Sequence, residues 1–183
     1  MKSPKIKIEI KATLTGPNGK VIKRYPWKRA NSLLKAFIQV LITQMSEANQ
    51  VIKDTGGVDR NGGGYSYNFA CGTGVQTDQG IVIGTGTTAV TMTDHKLETQ
   101  VTTNIAHQQQ TYAAESPDTS TWRVATSRGF INNTGSTLSI KEVGLYVYFS
   151  SNLYRVCIDR TLYAVDVSNG ATLTLTYRLT VTL

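Results

Sequence analysis

The sequence predicts a mainly β protein: an antiparallel, jelly-roll-like β-sandwich with one N-terminal amphipathic α-helix and a long glycine-rich loop. Three observations lead there. Charged residues make up 17% of the 183, against roughly 25% in an average soluble domain, and 26 threonines fill much of the gap. Threonine is β-branched and polar, which suits the outer face of a strand. Apolar residues alternate with these threonines, most plainly in the last segment. There Leu173, Leu175, Tyr177, Leu179, Val181 and Leu183 take every second place between Thr172 and the end. Turn signals also recur at short intervals through the second half, as in all-β folds. The length fits one domain, 1–183, able to bury a core without disulfide or metal staples. The composition disfavours disorder, collagen and a helical bundle.

The elements follow in order. Residues 1–30 read as a basic N-terminal hairpin. Ile6, Ile8, Ile10, Ala12 and Leu14 face one way and Lys5, Lys7, Glu9, Lys11 and Thr13 the other. Gly16-Pro-Asn-Gly19 makes the turn, Val21–Tyr25 returns, and Pro26 ends the strand because it cannot donate to a ladder. Residues 31–47 switch to helical spacing, with Leu33, Leu34, Phe37, Ile38, Leu41, Ile42 and Met45 as the apolar stripe and Asn31 or Ser32 as cap. That stripe suits a helix sealing a sheet, or else a docking surface. Residues 55–80 form the Gly-rich loop, in which the alternation of Tyr65, Tyr67 and Phe69 predicts a short strand or an exposed aromatic loop.

The main strands are expected over 81–183. Gly80–Gly86 reads as a buried strand running into a glycine turn. It is not a phosphate cradle, because the β-like Thr87–Thr93 follows and no helix start or Lys-Ser/Thr pair does. His95–Val101 predicts a helical turn. Strands are then expected at 108–114, 122–131, 137–140, 143–149, 154–159 and 172–183. Turns separate them at Ser116-Pro-Asp, Asn132-Asn-Thr-Gly135, Ser150-Ser-Asn152 and Ser168-Asn-Gly170.

The excess of positive charge lies at one end. Ten Lys/Arg stand against Glu9 in residues 1–35, a balance of +9, while the rest of the chain sums to −2. The candidate interaction residues there are Lys5, Lys7, Lys11, Lys23, Arg24, Trp27, Lys28 and Arg29, with Tyr65 and Tyr67 in the loop. A basic face of this kind meets an acidic protein surface or nucleic acid; the plainer reading of the strand lysines is an edge guarded by charge. Cys71 and Cys157 fit no zinc or CxxC spacing and are either free thiols of a reducing compartment or one disulfide. Met1-Lys-Ser-Pro4 leads into a charged strand with no signal-peptide core, and no apolar run is long enough to span a membrane.

Motifs for catalysis or cofactors are not evident: no HExxH, no GxSxG, and only His95 and His107 as histidines. The expectation is no enzyme, no metal and no cofactor. Paired carboxylates for glycoside hydrolysis depend on spatial and not sequential spacing. Glu142 near Arg155 or Arg160 reads more simply as an internal ion pair.

Three blocks resemble a tailed-bacteriophage virion protein family. They are Ser139-Ile-Lys-Glu-Val-Gly-Leu-Tyr146, Leu153-Tyr-Arg-Val-Cys-Ile-Asp-Arg160, and the strand from Asn169 to Val181. Gly80–Gly86 leading to Leu97-Glu98, and Ala30–Phe37, look like companion blocks of the same family. The resemblance implies a non-enzymatic β-sandwich subunit in the tail, the neck or the capsid-associated (decoration) layer. Such a subunit is made in the host cytoplasm, assembles as a homo-oligomer and docks on other virion proteins. Its basic segment would face an acidic neighbour or packaged DNA. It also implies structural roles for Glu142, Gly144, Arg160 and Gly170. Two rivals belong to other classes: a glycan- or receptor-binding fibre module stacking sugars on Tyr65, Tyr67, Trp122 or Tyr146, and a β-sandwich hydrolase.

Overall fold

The computed structural model describes residues 5–30, 33–72 and 74–182, apart from the side chains of Lys5, Ser116 and Pro117. The chain is mainly β, with 53% of residues in strands and 7% in helix. In order, the elements are β1 (Lys5–Thr15), β2 (Val21–Arg29), α1 (Lys35–Ser46), β3 (Gln50–Lys53), β4 (Asp59–Gly62), β5 (Gly80–Gly84), β6 (Ile105–His107), β7 (Thr111–Asp118), β8 (Thr121–Asn132), β9 (Leu138–Phe149), β10 (Tyr154–Val167) and β11 (Thr172–Thr182). They group into two compact units. One comprises Met1–Ala30, Asn104–Leu138 and Asp166–Leu183; the other comprises Asn31–Thr103 and Ser139–Val165.

The first unit is built on an antiparallel sheet of order β2-β1-β11-β8-β6, with β7 also paired to β8. Register puts Ile10, Ala12 and Leu14 of β1 beside Tyr177, Leu175 and Leu173 of β11, and Phe130 of β8 beside Leu173. All seven side chains are buried, each contributing about 1.5–3 kcal/mol if large and apolar. Pro26 does not end β2, which continues to Arg29. β2 is an edge strand with a register shift opposite Ile10–Ala12, and an edge or a bulge tolerates a missing N–H. Alternation along β11 also reverses near its end, where Thr180 is buried and Val181 is exposed.

The turn after β8 was legible from Asn132-Asn-Thr-Gly135. Asn132 is fully buried; its Nδ2 donates to Ser136 O (2.8 Å) and Val167 O (2.7 Å), and its Oδ1 accepts from Thr134 N (2.9 Å). Gly170, at φ 75°, donates its N–H to Asn132 O at 2.7 Å, so two turns share one residue. Asn132→Ala is expected to cost about 2 kcal/mol, because it strands buried backbone groups. Urea denaturation with an unchanged m-value is the check.

The second unit holds a sheet of order β10-β9-β5 and the antiparallel hairpin β3–β4. Its core cluster is Leu34, Val82, Leu97, Tyr146 and Cys157, with Val90 against it. The helix begins at Lys35, later than the expected 31–47, because Leu33 bridges Asp159 and Leu34 N–H donates to Ile158 O. An extended segment committed to a strand cannot also wind into a first turn. The proposed caps Asn31 and Ser32 lie outside the described residues. The stripe is rotated as well: Ala36, Val40 and Thr43 are buried, whereas Ile38, Ile42 and Met45 are 47%, 41% and 79% exposed.

Other expectations need correction. The 55–80 region is not all loop, since β4 returns against β3 around Asp54. That carboxylate accepts from Gly56 N, Val58 N and Arg60 Nε. Tyr65, Tyr67 and Phe69 lie in irregular and turn backbone, not a strand, with Phe69 at φ 65°. Asn68 fixes that turn: its Nδ2 donates to Gly63 O and Gln44 Oε1, and its Oδ1 accepts from Ser150 N at 2.7 Å. Neither the β-like Thr87–Thr93 nor the helical turn at His95–Val101 forms; their backbone groups are taken by side chains described below. The expected strands at 137–140 and 143–149 are one strand, β9, and the one at 154–159 runs on to Val167. Of the strand expected at 108–114 only 111–114 forms, as the start of β7; residues 108–110 are irregular backbone between it and β6. β7 passes Ser116-Pro-Asp118 before the turn at Ser120.

Candidate functional site

The Glu142 cluster starts from an oddity of composition: a glutamate in the nearly continuous apolar run of β9. Residues 142–147 are all buried, so this stretch of strand is covered on both faces. β5 lies beside it, with Gly84 opposite Glu142, Val82 opposite Gly144 and Gly80 opposite Tyr146. Glycine opposite each large polar side chain leaves it room.

Residues 85–100 cross this face, and two side chains of β9 receive their amides. Tyr146 Oη accepts from Leu97 N at 2.7 Å. Glu142 Oε1 accepts from Thr99 N (2.8 Å) and Gly86 N (3.1 Å), and Oε2 from Glu98 N (3.1 Å). Oε2 also accepts from Arg160 Nε at 2.7 Å. Arg160, 3% exposed, extends its fork to Asp94 (Nη1 to Oδ2, 2.7 Å) and to Thr88 O and Oγ1 through Nη2. Glu98 lies 3.7 Å from the same Nη2 and accepts from Thr87 N and Thr88 N.

The electrostatics follow the geometry. Burial disfavours ionised Asp94, but hydrogen bonds from Thr91 and Arg160 outweigh it and its pKa is lowered. Backbone amides at Thr88 and Thr87 and the charge of Arg160 lower that of Glu98. Burial pushes the Tyr146 phenol up, and burial with the neighbouring Asp159 and Asp94 charges pushes the Cys157 thiol up. Both Glu142 oxygens are occupied by donors and the side chain is fully buried, so this cluster fastens a loop.

Glycines in the Gly80–Gly86 segment serve this fastener. A Cβ on Gly84 would meet Thr99 O and Glu142 Oε1, both at 2.6 Å, and one on Gly86 would meet Glu142 Oε1 and Glu98 Cβ at 2.5 Å. On Gly144 it would meet Leu97 Cδ2 at 2.9 Å. Gly84→Ala is expected to cost about 2 kcal/mol through forced displacement of the loop; a denaturant midpoint unchanged from the parent would contradict it.

Glu142, Gly144 and Arg160 therefore come together, while Gly170 lies in a turn of the other unit, near Pro17. Arg155 is not the partner of Glu142: it pairs with Asp78 at 3.2 Å and lies over Tyr148. Asp94, Glu98 and Thr88 were not singled out for this cluster, being 44 to 72 residues from its motif residues Glu142 and Arg160 in the chain, and Tyr146 was read as an exposed platform.

The basic residues gather in part. Trp27 has Arg178 Cζ 3.8 Å and Lys11 Nζ 4.8 Å from its ring centre. Glu9 links this group, bonded to Arg178 (2.8 Å) and Lys7 (3.2 Å). Partial burial opposes its charge, but the bonds from Arg178 and Lys7 lower its pKa. Lys23 lies over Tyr25, and Arg24, Lys28 and Arg29 are exposed. The side chain of Lys5 is outside the described residues. Arg178 was missed, although it is the lone charge among the alternating threonines of β11. Tyr65 and Tyr67 contact each other at 5.6 Å with ring planes 56° apart.

Cys71 and Cys157 are free thiols. Among the described residues no group of three or more His, Cys, Asp or Glu could hold a metal ion, and no helix is long and apolar enough to cross a membrane. Comparison with family models, with curated proteins and with solved structures returns no match to this chain.

Proposed function

We propose that this protein is a non-enzymatic structural subunit of a tailed-bacteriophage virion, in the tail, neck or capsid-associated layer, that self-assembles and docks on other virion proteins. The observation that carries the reading is the Glu142–Arg160 cluster. The residues through which the chain resembles that family are spent on holding a loop to a strand, which is what a load-transmitting subunit needs from its most distinctive motif. A jelly-roll-like β-sandwich is the finer fold that accompanies this role, supported by antiparallel strands with alternating burial. The Lys7–Glu9–Arg178–Trp27–Lys11 group supplies a mixed, already paired surface, better suited to an acidic protein neighbour than to packaged DNA.

A glycan-binding reading draws support from Trp122 and Tyr67, which are 64% and 56% exposed. It is weakened by the tilt of the Tyr65–Tyr67 pair and by burial of Tyr146. The test is peptide mass spectrometry and immunogold labelling of phage particles banded by density from a producing culture. Stoichiometric presence in particles supports the virion role. Absence from particles, with the protein left in the soluble lysate, overturns it.

A further inference from the structure

The reversal of burial near the end of β11 belongs to a larger pattern. Register places Ile6, Val181 and Trp122 side by side across β1, β11 and β8, and Ile8, Leu179, Val124 and Ala114 in the next row, which reaches β7. One row further in, Ile10, Tyr177 and Thr126 are buried in the core of the same face, with Tyr112 at the edge. The outer rows are not covered. Ile6 is 62% exposed, Trp122 64%, Val124 47%, Tyr112 47% and Val181 37%. The core-forming side of the sheet thus continues past the core as a bare apolar platform four strands wide.

Charge is absent from that platform. Strand alternation sends Lys7, Glu9, Arg178, Arg123 and Glu115 to the opposite side of the same four strands. A lipid surface or a polyanion would need several cations beside the apolar rows, whereas the nearest on this side are Lys28, opposite Ile10 at the β2 end of the third row, and the buried Arg128 one row further in. What fits a flat, pleated, uncharged face is another such face, packed at about 10 Å as in two-layer sheets. The chain itself offers one, and a two-fold axis through the platform makes the contact self-complementary.

Area agrees with this occupant. From the exposed fractions, the uncovered apolar surface is on the order of 500 Å², close to the ~65% apolar share of a standard interface of about 800 Å² per partner. We infer that a second copy of this chain packs face to face on the platform formed by Ile6, Val181, Trp122, Val124 and Tyr112, giving a two-fold dimer. Trp122, the largest of these side chains and the most exposed at 64%, is its anchor. The inference stands on the sheet alone: a protein found in particles but monomeric in solution would lose this surface and keep the virion role.

Sedimentation velocity on the full chain, from about 1 µM to about 100 µM, is the experiment, in the range where a micromolar complex dissociates. The parent is expected to shift from monomer to dimer with concentration. Trp122→Ser, with Val124→Thr as a second variant, should raise the dissociation constant at least tenfold. Both side chains are exposed, so circular dichroism should remain that of the parent. Ile38→Ser, on the exposed helix face of the other unit, should dimerise as the parent does. A parent that stays monomeric throughout, or Trp122 and Val124 variants that associate undiminished, would overturn the proposal. So would an equal loss in Ile38→Ser.

Discussion

Glu142→Ala is expected to lower the unfolding free energy by about 4 kcal/mol, the scale of breaking a buried ion pair by removing one partner. The truncation leaves the amides of Gly86, Glu98 and Thr99 without their acceptor and Arg160 without its Nε partner. Glu142→Gln keeps the shape but replaces one oxygen by a donor. Either orientation then sets an NH2 against existing donors, Gly86 and Thr99 on one side or Glu98 and Arg160 on the other. About 2 kcal/mol is expected from that single conflict. Urea denaturation measures both, and a loss under about 1 kcal/mol for the alanine variant would mean that the bonds are not made in solution. Arg160→Met should be strongly non-additive with Glu142→Ala, since the two share one network.

Acidification from pH 7 to pH 5 is expected to remove about 2 kcal/mol of stability through His107. Burial, and then the charge of the nearby buried Arg128, lower its pKa from 6.5 to about 4. The ring packs edge-on against Phe130 at 5.1 Å, and neither nitrogen has a hydrogen-bond partner. Above pH 6.5 both folded and unfolded chains carry the neutral ring and the residue is silent. As pH falls below 6.5 the unfolded chain takes a proton that the folded chain refuses, so stability drops until about pH 4 and then levels. Carboxylates with lowered pKa act only below their unfolded values near 4, which leaves the pH 5–7 window to histidine. His95 is shifted in the same direction by burial and by Lys96 and Lys53, so the comparison must be with His107→Phe. That variant should lose most of the pH 7-to-5 decrement; an unchanged decrement would remove His107 as its source.

Much of the strand pattern was legible because burial on one face leaves period-two alternation, as in β1 and the first half of β11. Where both faces are covered, alternation vanishes, and β9 was split in two for that reason. The α1 surface was misread for a different cause. Ile38, Ile42 and Met45 are the more hydrophobic stripe, yet packing uses Ala36, Val40 and Thr43, which are smaller and allow closer approach. Thr43 satisfies its hydroxyl on Val40 O at 2.7 Å. Local turn chemistry, as at Asn132, was readable; the side-chain partners of the Gly86, Thr88 and Leu97–Thr99 backbone groups were not, because they lie at positions 142, 146 and 160. Glu142 itself could be suspected from its apolar surroundings, but Asp94 and Glu98 look like ordinary surface acids until Arg160 draws them together.

The pairing of β1 with β11 along eleven residue pairs, Lys5↔Thr182 to Thr15↔Thr172, has a consequence for biogenesis. The central strand pair of this sheet joins segments more than 150 residues apart, so β1 must wait for β11 to leave the ribosome. At about 5–20 residues per second that delay is on the order of ten to thirty seconds. Through that time Ile6, Ile8 and Ile10 sit on a nascent chain with only the β1–β2 hairpin to occupy them. Lysines at alternate positions of β1, and Lys20, Lys23, Arg24, Lys28 and Arg29 around β2, then act as charge repellents between neighbouring nascent chains on a polysome.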